Sequence, residues 1–138
     1  MAMGRRRSES KEQRWVPAGE IARSPGHPFY ARLNEILSEV EFDRFAEEIC
    51  RPADADRIGR PSIPPGTYFR TMMIGFFEGI DSERGIAWRV ADSLSLRSFL
   101  GIDLSGRTPD HSSLSVIRRR LSVAMHQEVI AWVLAAVL

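Results

Sequence analysis

A chain of 138 residues with 43% apolar and 27% charged side chains can bury one hydrophobic core and is too apolar for a disordered polypeptide. Its single cysteine, Cys50, excludes an internal disulfide framework and a multi-cysteine zinc site. The formal net charge of +1 hides a swing along the chain, from +3 over residues 1–14 through −4 over 15–58 to +2 over 59–138. A polyanionic partner would therefore meet the two ends rather than the middle, although swings of this size are also common on solvated surfaces.

Eighteen of the nineteen basic residues are arginine and only Lys11 is lysine. Arginine forks bind phosphate and guanine edges bidentately, which lysine does not. With its one lysine in a polar N-terminal segment, the chain has no Walker phosphate loop and no Schiff-base lysine. The start, MAMGRRRSESKEQRW, has no apolar stretch behind its basic residues, so no secretory signal is read. The longest apolar run, Val129 to Leu138, is ten residues, short of the ~20 needed to span a membrane. The expected compartment is the cytoplasm, with no membrane partner.

In chain order, residues 1–26 read as a basic, flexible tail in which Pro17, Gly19, Pro25 and Gly26 interrupt any periodicity. The helical domain follows over 27–138. A first helical pair is expected from Pro28 to Cys50, with Phe29, Leu33, Ile36, Leu37 and Val40 on one stripe, Phe42, Phe45 and Ile49 on the next, and a break near Ser38. Residues 51–66 hold four prolines and two glycines and read as a loop. Asp54 and Asp56 there lack the glycine and distal glutamate of a calcium loop. A core helix starts near Pro65, with Phe69, Met72, Met73, Phe76 and Ile80 on a wide apolar face. The Gly75–Gly79 spacing within it reads as local close packing.

Asp81 or Ser82 caps a further helix to about Ser93, with Ile86, Val90 and Leu94 inward. A short helical turn, Leu96 to Leu100, ends at Gly101, and residues 102–107 form a loop. The last helix starts on Thr108-Pro109-Asp110, with threonine as N-cap and proline in the first turn, and is expected to run to the chain end. Leu114, Ile117, Leu121 and Met125 mark its buried side. Ser112, Ser115, Arg119, Ser122 and His126 follow 3-4-3-4 spacing along a polar side, with Arg118 beside it. No period-2 pattern appears, so the fold class is all-α with six or seven helices and a helix-turn-helix-like C-terminal half.

No catalytic constellation emerges. Asp110, His111, Ser112 and Ser113 have the residue types of a hydrolase triad, but neighbours at a helix start cannot aim at one another. His27, His111 and His126 show no metal-ligand spacing, so neither metal nor cofactor is expected. The two C-terminal helices do suit a DNA reader. The Ser82 helix would brace on the backbone through Arg84 and Arg89, and the Asp110 helix would enter the major groove. His111, Ser112, Ser115, Arg118, Arg119 and Ser122 would face the duplex. The connection between those helices is far longer than the 3–4 residues of a standard helix-turn-helix. Patterning alone leaves a helical protein-interaction module as the alternative.

Certain pieces, taken in order, carry a resemblance. They are Gly59-Arg60-Pro61, the helix with Trp88-Arg89, Phe99-Leu100-Gly101, and Pro109-Asp110-His111-Ser112-Ser113-Leu114 leading into Arg118-Arg119-Arg120-Leu121. The stretch Gly59 to Leu121 resembles the N-terminal, InsH-type domain of DDE-type insertion-sequence transposases. The resemblance implies a domain that recognises transposon ends on double-stranded DNA and assembles the transposase there. It also implies that the chemistry, three carboxylates holding two divalent metals, belongs to a following ribonuclease-H-like domain. The chain is thus expected to be a non-enzymatic fragment that stops before that domain. It would act in transposition, regulate it by occupying ends or joining intact transposase, or persist as an inert remnant. The apolar C-terminal helix further suggests self-association.

Overall fold

The computed structural model describes residues 28–54 and 63–138, together with 3–5, 15–17 and 19. Most of the basic N-terminal segment and residues 55–62 lie outside the described residues. Seven α-helices and no strand occupy what is described, an all-α fold.

α1 (Pro28–Glu39) and α2 (Phe42–Asp54) form the expected first pair. The break falls at Val40 and Glu41 rather than at Ser38. Glu41 adopts φ 55°, and its amide bonds back to the Ser38 carbonyl at 3.2 Å. A left-handed non-glycine residue costs on the order of 1–2 kcal/mol. It persists here between Leu37 and Phe42, both fully buried, which pin the chain on either side. α2 also runs on to Asp54, into the segment expected to be loop, with Pro52 inside the helix. A proline so near the end removes a single helical amide. Buried Ala46 and Cys50, with half-buried Ile49 and Ala53, carry the apolar stripe across it.

α3 (Pro65–Glu78) starts where expected, with Pro65 in its first turn, and closes on Gly79 at φ 69°. It is central, packing on α2 and on the next two helices. Tyr68, Phe69, Met73 and Ile74 are buried, while Phe76 is 69% exposed, contrary to the expected apolar face. Phe29 of α1 likewise stands partly outside, edge-on to Phe77. The sequence reading had passed over Arg70, which is buried in α3. It donates to both Asp43 carboxylate oxygens, at 2.7 and 3.1 Å, to Asn34 Oδ1 at 3.0 Å and to the Gly66 carbonyl at 3.3 Å, and it lies over the Phe42 ring. A guanidinium can be buried only with its donors satisfied, and this one ties α3 to α1 and α2.

α4 (Glu83–Ala91) and α5 (Leu94–Leu100) begin on serine caps, Ser82 accepting from the Gly85 amide and Ser93 from the Leu96 amide. Ile86, Ala87 and Val90 point inward as the periodicity predicts. Leu94 does not. It opens α5 and stays exposed, and Leu96, Phe99 and Leu100 take the burial instead. Gly75 permits the close approach of α3 and α4, since an added Cβ would collide with the Ile86 side chain and crowd the Ile80 carbonyl. The expected close packing therefore holds at Gly75 but not at Gly79, which has open space around it and serves instead as the left-handed cap of α3.

The expected single C-terminal helix is two, α6 (His111–Arg120) and α7 (Val123–Val137), bent by 101°. Asp110, not Thr108, is the N-cap of α6, accepting from the Ser113 amide at 2.7 Å, and Pro109 is buried just before it. Ser122 caps α7 by accepting from the Met125 amide at 3.1 Å. The polar side drawn through Ser112, Ser115, Arg119, Ser122 and His126 is therefore not one helix face. Among the described residues no single helix is long and apolar enough to cross a membrane. α7 returns against α1 and α2, stacking Trp132 on Phe45, while α6 packs on α4.

Candidate nucleic-acid interface

The first turn of α4 organises the polar side of α6. With Ser82 as cap, Glu83 is the first helical residue of α4 and Arg84 the second. The Glu83 carboxylate accepts from Ser115 Oγ at 3.0 Å and holds Arg118 Nη1 at 2.9 Å. Arg84 Nη2 lies 3.4 Å from His111 Nε2. His111, Ser115 and Arg118 follow i, i+4, i+7 spacing, so one stripe of α6 faces the start of α4.

Of the eight residues expected at DNA, the structure brings Ser115 and Arg118 onto Glu83 and sets Arg84 beside His111. Ser112 and Arg119 are exposed on the same helix. Arg119 and the adjacent Arg120, also exposed, make no ion pair among the described residues. The other two are engaged elsewhere. Arg89 Nε donates to Glu78 Oε1 at 2.7 Å, while the other Glu78 oxygen accepts from Tyr30 at 2.7 Å. Ser122 spends its hydroxyl on the α7 cap.

Sequence reasoning missed Glu83 altogether. An acid in a first helical turn is ordinary, and its partners lie 32 and 35 positions away on another helix. The core reaches this site through Tyr68. Burial pushes the Tyr68 hydroxyl up to about 12, the positive charge of Arg118 opposes that, and the negative charge of Glu83 adds to it. The hydroxyl lies 2.8 Å from His126 Nε2, and His126 Nδ1 lies 2.9 Å from the Ser122 carbonyl. A carbonyl only accepts, so the imidazole carries its proton on Nδ1 and Nε2 accepts from Tyr68.

A second surface differs in chemistry. Between α3 and α7 runs an apolar groove of about 60 Å³, lined by residues including Phe69, Met72, Phe76, Val129, Ile130 and Leu134. Among the described residues no group of three or more His, Cys, Asp or Glu side chains is placed to hold a metal ion.

Residues 18–120 match the family model described as Transposase domain (DUF772). No curated protein and no solved structure matches the chain.

Proposed function

We propose, from the premise that the chain belongs to the Transposase domain (DUF772) family, that this helical domain binds double-stranded DNA at transposon ends and helps assemble transposase there. On this reading it works in the cytoplasm and leaves strand cleavage and transfer to the catalytic part of a transposase. The observation that carries the proposal is the α4–α6 pair, which displays Arg84, His111, Ser112, Arg119 and Arg120 on exposed helix positions. α6 would serve as the reading helix and α4 as the brace, a helix-turn-helix arrangement with the short helix α5 in the connection.

The test is fluorescence anisotropy on two labelled duplexes, the terminal sequences flanking the chain's own coding DNA and a scrambled version, over a series of salt concentrations. Arg84→Ala and Arg119→Ala are each expected to reduce the salt slope by about one unit if the side chain neutralises a phosphate. Loss of preference for the terminal duplex, at ~1–3 kcal/mol, would instead mark a base contact. Unchanged affinity and slope in both variants, with helicity intact by circular dichroism, would remove this face from DNA.

A second reading, an interaction module that pairs with another copy of this chain or joins intact transposase, draws support from the α3–α7 groove. Ile130 and Leu134 of α7 and Phe76 of α3 leave large apolar surface in water beside it.

A further inference from the structure

We propose that Glu83 is a charge guard on the DNA-binding face, an acid that neutralises Arg118 and thereby limits the grip of the domain on phosphate. The proposal rests on the DNA-binding reading above. It starts from an asymmetry in the run Arg118-Arg119-Arg120. The last two make no ion pair among the described residues, whereas the first is held at 2.9 Å by Glu83.

Local structure does not need that carboxylate. Ser82 already caps α4, and fully buried Leu114 already anchors α6. Nor is the acid comfortably placed. Its Oε2 accepts from Ser115, but Oε1 is shielded from solvent and receives no hydrogen bond, only the charge of Arg118. Shielding a carboxylate oxygen with one ionic contact is costly. What the arrangement achieves is electrostatic. A guanidinium already compensated by a carboxylate brings no net charge to a duplex, and duplex affinity follows the counterions that net positive charge displaces. Arg118 nevertheless remains 60% exposed, within reach of a backbone that approaches α6. Glu83 thus sets how many of the α6 cations count, and duplex binding falls to Arg84, Arg119 and Arg120.

Glu83→Gln tests this, because the amide oxygen still accepts from Ser115 while the charge is gone. Terminal and scrambled duplexes should both bind more tightly, with a salt slope steeper by about 0.9. The gain should shrink about three- to fourfold between 50 and 200 mM salt, as that slope dictates. The double variant Glu83→Gln with Arg118→Gln removes the pair at constant net charge and should bind as the unaltered chain does, with the same slope. If the single variant fails to fold, Arg118→Gln takes its place: it leaves the Glu83 charge uncompensated and should lower the slope by about 0.9, which the double variant should restore, and an unchanged slope in Arg118→Gln overturns the guard. A slope lowered by about one unit in the double variant would mean that Arg118 already contacts phosphate, and the guard is overturned. If the unaltered chain binds and Glu83→Gln changes nothing, the guard fails while the DNA-binding reading stands. If neither protein binds either duplex at the lowest salt, the DNA-binding reading fails and the guard with it.

Discussion

Tyr30 and Tyr68 are the only tyrosines of the chain, and each is held as a neutral phenol by its surroundings. Burial raises the Tyr30 hydroxyl well above its ordinary value, and its hydrogen bond to the Glu78 carboxylate adds to that. Burial brings Tyr68 up to about 12. A group that ionises more readily in the unfolded chain stabilises the fold only while it stays protonated there. The Tyr68 contribution is therefore complete below its unfolded value near 10 and is lost as pH rises from 10 through about 12. In an alkaline titration, tyrosinate absorbance should appear together with loss of helical circular dichroism, not ahead of it. The melting temperature of Tyr68→Phe should also fall less steeply above pH 10 than that of the unaltered chain. A tyrosinate step centred near pH 10 with the helices intact would refute this account.

Ser122 decides that the C-terminal segment is two helices. It follows Leu121, the extended residue that closes α6, and accepts one of the free amides in the first turn of α7, that of Met125. Ser122→Ala removes that acceptor and should cost ~1 kcal/mol, read as a lower denaturant midpoint, whereas Ser122→Gly should cost only a few tenths. Equal stability of the alanine variant would mean that the bend is set by packing of Leu121 and Val129 rather than by the cap. The same serine shows why this boundary was not legible in the sequence. Apolar residues continue in phase through Leu114, Leu121 and Val129, and a capping serine also fits a polar stripe. The periodic helices, by contrast, were legible from spacing alone, as Leu33 with Leu37 and Ile86 with Val90 show. The polar members of the candidate interface were legible as residue types on two helices. Their partners were not. Arg70 with Asp43, Arg89 with Glu78 and Arg118 with Glu83 all join different helices, whose mutual placement no local pattern encodes.

At the scale of the molecule, two surfaces answer salt in opposite ways. On the proposed DNA-binding reading the α4–α6 face works through charge, so any duplex affinity should fall as ionic strength rises. The α3–α7 groove is lined by apolar side chains, with His126 its one polar member. No charged side chain lies from Thr71 to Phe77 or from Val129 to Leu138, while Phe76 is 69% and Ile130 50% exposed. Such a patch can meet its own copy across a two-fold axis without setting like charges against each other, and it offers both a groove and protruding side chains to fill one. The weight-average mass in sedimentation equilibrium should therefore rise with protein concentration in the range of tens of micromolar, about where exposed apolar surface drives association. Added salt should leave that association intact or strengthen it. Phe76→Glu and Ile130→Glu each place a charge where the two-fold brings the patch onto itself, and each should return the chain to monomer. Both residues keep half or more of their surface in water, so the folded state should lose only about 1 kcal/mol, read by thermal melting. A monomer at every concentration would leave the groove without this occupant. Association that dissolves in moderate salt would assign it to the charged face instead.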